Sequence, residues 1–176
     1  LIDSQGERAI TVIGERLAPN YRDNLDWDIL KKMDGIFITA SDSEIFKMAR
    51  SASILCTTPR VGINTINKSN VSLDGLIGSN LDPGEEFSFS ELLVKPKYTI
   101  KTEGEKGGII FPGGRYEALK NKDRKVDSYG CGDSFAAGIL YGMASNWDID
   151  KSLNLAKVIG RDSSEFFGPY ANSDEK

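Results

Sequence analysis

The chain contains no histidine. That absence removes Ser-His-Asp and Cys-His catalysis, His-ligated zinc and imidazole acid–base chemistry together. Cysteine is nearly absent too: Cys56 and Cys131 lie far apart and form no C-x-x-C pair. Neither a redox motif nor a thiolate metal cage is available, and the expectation is a reducing, cytoplasmic compartment, not a disulfide scaffold. No apolar run approaches the roughly 18 residues a membrane span needs, and no leader pattern opens the chain, so no membrane partner is expected. An excess of basic charge is also missing. Lys and Arg number 22 against 26 Asp and Glu, a net charge of −4, which argues against a nucleic-acid partner. What remains is an ordinary globular composition, 39% hydrophobic and 27% charged over 176 residues, enough for one domain with a sizeable core. The first residue, Leu1, sits inside what reads as a strand, so the expectation is that an N-terminal portion precedes it.

Residues 1–14 read as a β-hairpin, with turn chemistry at Asp3-Ser4-Gln5-Gly6 and a β-branched run Arg8–Ile13. Helical and strand signals then alternate. A helix capped by Asn24 or Asp26 carries Leu25, Ile29, Leu30 and Met33, and a strand follows at Gly35–Thr39. A second helix opens at Ser43-Glu44, with a strand Ser53–Thr57 after it. A polar stretch at 64–70 precedes the strand Gly75–Gly78, and Glu85 to Val94 reads as a helix. Strands separated by helices predict βαβ units and a parallel sheet. After Lys95 come strands Tyr98–Lys101 and Gly108–Phe111, with Arg115–Leu119 returning antiparallel as a late β-meander. Two helices close the chain, Asp133 to about Ala144 and Asp150 to Phe167. The only basic cluster, Lys120–Lys125, reads as a solvated loop.

One segment stands apart, Val126-Asp127-Ser128-Tyr129-Gly130-Cys131-Gly132-Asp133-Ser134-Phe135-Ala136-Ala137-Gly138. A strand end meets a Gly-x-Gly turn that runs straight into a small-residue helix. Glycines let a ligand approach the backbone, and the amides of Gly130, Cys131 and Gly132 can converge at the positive helix end to form an anion hole. Asp133 could accept the proton of a hydroxyl attacking a phosphoryl group, chemistry that needs positioning and charge stabilisation but no histidine. A short G-x-G-D alone could equally be a capped tight turn. The longer D-[ST]-x-G-x-G-D has a chance frequency on the order of 10⁻⁶ per position. The string does not continue to the third glycine of G-x-G-x-x-G, and a Walker A lysine motif is absent, which weakens a dinucleotide-binding reading.

This segment resembles the C-terminal signature of the ribokinase-like (PfkB) family of carbohydrate and nucleoside kinases, D-[ST]-x-G-A-G-D-x-F-x-x-G, with Cys131 in place of the alanine. The resemblance implies Asp133 as catalytic base and Gly130, Cys131 and Gly132 as the anion hole for a γ-phosphoryl. Thr102-Glu103-Gly104-Glu105-Lys106-Gly107 is similar to the family's T-x-G-x-x-G nucleotide loop, although by itself it also reads as a hairpin turn. Asp82-Pro83-Gly84-Glu85 stands where the family carries N-x-x-E. Asp82 and Glu85 would there organise magnesium through water, with Asp in place of Asn and with Asn80 offering a second register. Leu155-Ala156-Lys157 through Phe167-Gly168-Pro169 resembles the terminal helix and turn on the adenine side, which nominates Lys157 and Gly168 as nucleotide-binding residues, Lys157 replacing a common Asn.

The resemblance implies an α/β fold, a ribokinase-like three-layer sandwich with a mostly parallel central sheet and a late β-meander. Residues 1–16 would be part of a small β lid and 17–176 an incomplete nucleotide- and phosphate-binding domain. The implied function is an ATP-dependent sugar kinase phosphorylating a hydroxyl of a small carbohydrate, with Mg²⁺, a possible monovalent cation near Asp127, and a homodimer through the lid strands. The alternatives are a nucleoside kinase of the same family or a catalytically impaired nucleotide- or sugar-binding relative.

Overall fold

In the computed structural model the described residues are 13–14, 17–121 and 126–168. They divide into two compact units, residues 17–117 on one side and residues 118–121 with 126–168 on the other. The expected lid hairpin, apart from Ile13 and Gly14, and Lys122–Lys125 of the basic cluster lie outside the described residues.

The first unit is built on six strands, β1 (Gly35–Ile38), β2 (Ile54–Thr57), β3 (Gly75–Ser79), β4 (Tyr98–Thr102), β5 (Gly108–Phe111) and β6 (Gly114–Tyr116). They lie in sheet order β1-β2-β3-β4-β5-β6. The first four run parallel, and β5 and β6 return antiparallel. This is the expected parallel sheet with a late meander. Helix α1 (Ser43–Ala49) crosses from β1 to β2. Its first turn is capped by Asp42, whose carboxylate accepts from the Glu44 and Ile45 amides. Ile45, Phe46 and Ala49 bury one face of α1 against Ile38, Leu55, Leu76 and Leu92, the centre of the core.

Three elements of this unit differ from the sequence reading. Residues 64–70 are not a polar loop: helix α2 (Ile63–Ser69) forms there, ending at Asn70 in the left-handed region. It buries Ile66 and Ser69, too few apolar positions to register as a helical period. The expected helix around 25–33 is a 3₁₀ helix, Trp27–Lys32. Three residues per turn align Trp27 with Leu30, and these pack on the core while Leu25 and Ile29 stay exposed. The expected helix 85–94 is instead two 3₁₀ turns, Pro83–Glu85 and Phe89–Glu91. Ser88 hydrogen-bonds Ser90 and donates its amide to Glu91, local bonds that compete with a helical ladder.

The second unit is a helix pair, α3 (Cys131–Ala144) and α4 (Ile149–Asp162). Asp148 caps α4 through the Lys151 amide. The helices touch through small residues: an added Cβ at Gly138 would lie 2.7 Å from the Ala156 Cα. Helix α4 stops at Asp162, not Phe167. The Ser163 and Ser164 hydroxyls bond back to the Ile159 and Arg161 carbonyls, and a 3₁₀ turn Ser163–Glu165 follows. No helix among the described residues is long and apolar enough to cross a membrane.

Candidate functional site

In the helix-pair unit, the chain enters α3 through a turn fixed at both ends. Residues Val126 and Asp127 do not form a strand. Their amides donate to the Ser164 carbonyl at 2.8 and 3.3 Å, docking them on the turn that follows α4. Asp127 is fully buried, and its carboxylate accepts from the Tyr129 amide and from the Gly168 amide, each at 3.0 Å. It clasps the approach to α3 to the glycine turn after α4. Gly168 therefore has an assigned partner, while Lys157 stands half-buried on α4.

Gly130 is the N-cap of α3 at φ 81°, a left-handed conformation that a side chain would strain. The Ser134 amide makes the first intrahelical bond, to the Gly130 carbonyl at 2.8 Å. Of the first-turn donors, the Cys131 amide turns back to the Ser128 carbonyl at 3.3 Å. The Gly132 and Asp133 amides are left as donors without an intrahelical acceptor, at the positive end of a 14-residue helix. Within the expected Gly130–Cys131–Gly132 set the Cys131 amide is thus taken by the protein, and the Asp133 amide stands beside that of Gly132 as a further donor. Gly130, not Asp133, is the N-cap residue; Asp133 lies in the first turn of α3 and is exposed.

In the sheet unit, the expected residues gather beyond the carboxyl ends of β3 and β4. The Thr102–Gly107 loop is indeed a hairpin connection, from β4 to β5, with Gly104 and Gly107 at φ 60° and 86°. It is held to the end of β3: the Asn80 amide donates to the Thr102 carbonyl at 2.9 Å, and Asn80 Nδ2 to Glu103 Oε1 at 2.9 Å. Arg115 also donates to Glu103. The hydrogen bonds from Arg115 and Asn80 hold the Glu103 carboxyl below its ordinary range. The Asn80 side chain is thus tied to this loop through Glu103.

Glu85 is only 9% exposed, and its oxygens are taken by the Ser79 amide at 2.6 Å, the Thr58 hydroxyl at 3.1 Å and Arg60 Nε at 3.2 Å. Asp82 accepts from the Gly84 amide at 2.8 Å and from Arg60 Nη2. It also lines a cavity of about 300 Å³ with Ser79, Asn80, Glu86, Phe87 and Lys101. Among the described residues no group of three or more Cys, Asp or Glu side chains converges on one point. A magnesium ion would therefore draw most of its shell from water and phosphate oxygens. Asp82 and Glu85 both have their two oxygens engaged by the protein, but of the two only Asp82 lines the cavity. Asp82 would therefore meet such an ion through water, with Glu85 in a supporting place behind it.

Sequence reasoning missed Arg60, the clasp made by Asp127, and Lys101, whose ammonium lies 4.4 Å from the Phe87 ring centre at the cavity. A signal for Arg60 was present. It follows β2 as Asp82 follows β3, and carboxyl ends of adjacent parallel strands share one edge of the sheet.

Residues 89–170 match the family model described as pfkB family carbohydrate kinase. No curated protein matches the chain by sequence. Among solved structures, ribokinase from Thermotoga maritima is similar over 84% of this chain, with a TM-score of 0.62 and 15% identity. Adenosine kinase from Sinorhizobium meliloti is similar over 85%, with a TM-score of 0.63 and 17% identity. A nucleoside kinase from Burkholderia thailandensis, solved with inosine, is similar over 80%, with a TM-score of 0.61 and 21% identity. The chain spans about half the length of these structures, 55%, 54% and 53% respectively. At such identities the likeness is one of fold, and the fold is ribokinase-like α/β.

Proposed function

We propose that this chain, whose residues 89–170 carry the pfkB carbohydrate-kinase pattern, is the nucleotide- and phosphate-handling part of an ATP-dependent phosphotransferase acting on a hydroxyl of a small carbohydrate. The observation that supports it most is the start of α3, where the Gly132 and Asp133 amides lack intrahelical acceptors and the Asp133 carboxylate is exposed beside them. In this reading Asp133 accepts the proton of the acceptor hydroxyl as its oxygen bonds the γ-phosphorus. The bond from that phosphorus to the β–γ bridging oxygen breaks, and the nucleoside diphosphate leaves. The Gly132 and Asp133 amides offset charge on the transferring phosphoryl oxygens. The Thr102–Gly107 loop, Lys157 and Gly168 contact the nucleotide. Magnesium would neutralise phosphate charge when bound, with Asp82 holding it through water. A monovalent cation near Asp127 belongs to the same proposal.

The nucleoside kinases among the similar structures favour a second acceptor class, nucleoside hydroxyls. Turnover on a panel of sugars and nucleosides, measured on the native protein, separates the two classes. In the same assay Asp133→Asn is expected to lower kcat by about 10²–10⁴-fold with nucleotide affinity kept. Retention of kcat within a few-fold would reject the base assignment, and nucleotide binding without product from any acceptor would favour a non-catalytic relative.

A further inference from the structure

The geometry points to Arg60 as a positioning residue that holds the Asp82–Glu85 turn so that Asp82 faces the cavity, an inference that rests on the function proposed above. Arg60 sits on the turn Pro59–Val61, immediately after β2, and the acidic turn follows β3, its parallel neighbour. Its guanidinium bridges the two carboxylates, Nη2 to Asp82 and Nε to Glu85. Thr58 completes the clamp, since its hydroxyl donates to Glu85 Oε1 and accepts from the Arg60 amide at 3.3 Å. A buried carboxylate left without its cation is costly, so Glu85 and Arg60 fix each other. The planar fork is what permits one side chain to serve two acids, and a lysine ammonium could not reproduce it. Arg60 is not among the residues lining the cavity, whereas Asp82 is. Its contact with that cavity is made through Asp82, and the double-mutant cycle below separates an effect relayed by Asp82 from a direct effect of the guanidinium charge.

The test is a double-mutant cycle on the native protein with two readouts, the KM for Mg²⁺–nucleotide against the KM for the acceptor, and equilibrium binding of Mn²⁺ with ADP followed by electron paramagnetic resonance. Arg60→Gln is expected to raise the first KM and weaken Mn²⁺–ADP binding by about tenfold, leaving the acceptor KM within about twofold. In an Asp82→Asn background the same substitution is expected to change either readout by no more than about twofold. If Arg60→Gln does not fold, Arg60→Lys is measured in its place, with a smaller loss in the same readout and the same disappearance in the Asp82→Asn background. Equal losses in both backgrounds, or a fall in unfolding midpoint with neither readout moved, would overturn the proposal. Absence of phosphoryl transfer from the parent protein would defeat the kinase reading alone, because Mn²⁺–ADP binding still reports on Arg60. A parent protein that binds no Mn²⁺–ADP overturns both.

Discussion

Two glycines at the start of α3 differ in what they ask of the backbone. Gly130 occupies φ 81°, so alanine there is strained whatever the ligand does. Gly132 has no such requirement, and an added Cβ would meet nothing within 4 Å. Among the described residues nothing obstructs alanine at 132, and its higher helix propensity favours it. On the function proposed above, the open space over that amide is where a phosphoryl oxygen would approach. Gly132→Ala is therefore expected to leave the unfolding free energy within about 0.5 kcal/mol of wild type. The same change should reduce phosphoryl transfer by about tenfold or more, because it screens an amide of the proposed anion site. Chemical denaturation beside a turnover assay checks both halves. A variant as active as wild type removes the reason for placing a phosphoryl group there.

At the level of elements, the support for that amide is the contact between α3 and α4. The Ala156 Cα and amide stand 2.7 and 3.0 Å from where a Cβ on Gly138 would be, and both are backbone atoms that no rotamer change can move. Gly138→Ala is expected to destabilise the protein by about 1–3 kcal/mol through overpacking, outweighing the propensity gain, which an unfolding midpoint will read. Gly138 and the helix it belongs to were legible in the sequence because the signature places small residues at fixed spacing after Asp133. The parallel strands were legible as short β-branched runs between turn residues. Other elements were not. Helix α2 fully buries only Ile66 and Ser69 and packs Ile63 partly buried on the core, one short turn of pattern that is below what periodicity can detect. The Pro83–Glu91 stretch looked helical by composition, but Ser88 and Glu91 satisfy its backbone locally. The motifs marked the candidate site residues that lie close together in sequence, and not the contacts between distant ones. The bridge from Arg60 to Asp82 joins residues 22 positions apart, and only strand adjacency, a product of the sheet, brings them together.

Across the whole molecule, the absence of histidine combines with the burial of Cys56 to shape the response to pH. No imidazole titrates between about pH 5 and 8, so the unfolding free energy of this chain should be level there. Cys56 is fully buried in β2. Burial, with the neighbouring Asp74 carboxylate adding to it and Arg50 opposing, pushes its thiol from 9.0 up to about 12. Tyr116 is likewise held neutral above its usual 10.0, by burial first and Glu103 second. In each case the folded form keeps a proton that the unfolded chain gives up. The linkage is negative: stability is intact below pH 9, then falls as pH rises through the window from 9 towards 12. The slope is about 1.4 kcal/mol per pH unit for each group engaged. Urea midpoints taken from pH 6 to 11 should show a plateau followed by this alkaline limb. In Cys56→Ala the limb should begin about one unit later, where the tyrosine takes over, even though the small cavity lowers the plateau itself. A Cys56→Ala profile parallel to wild type from pH 9 upward would show that the thiol is not what the alkaline limb reports.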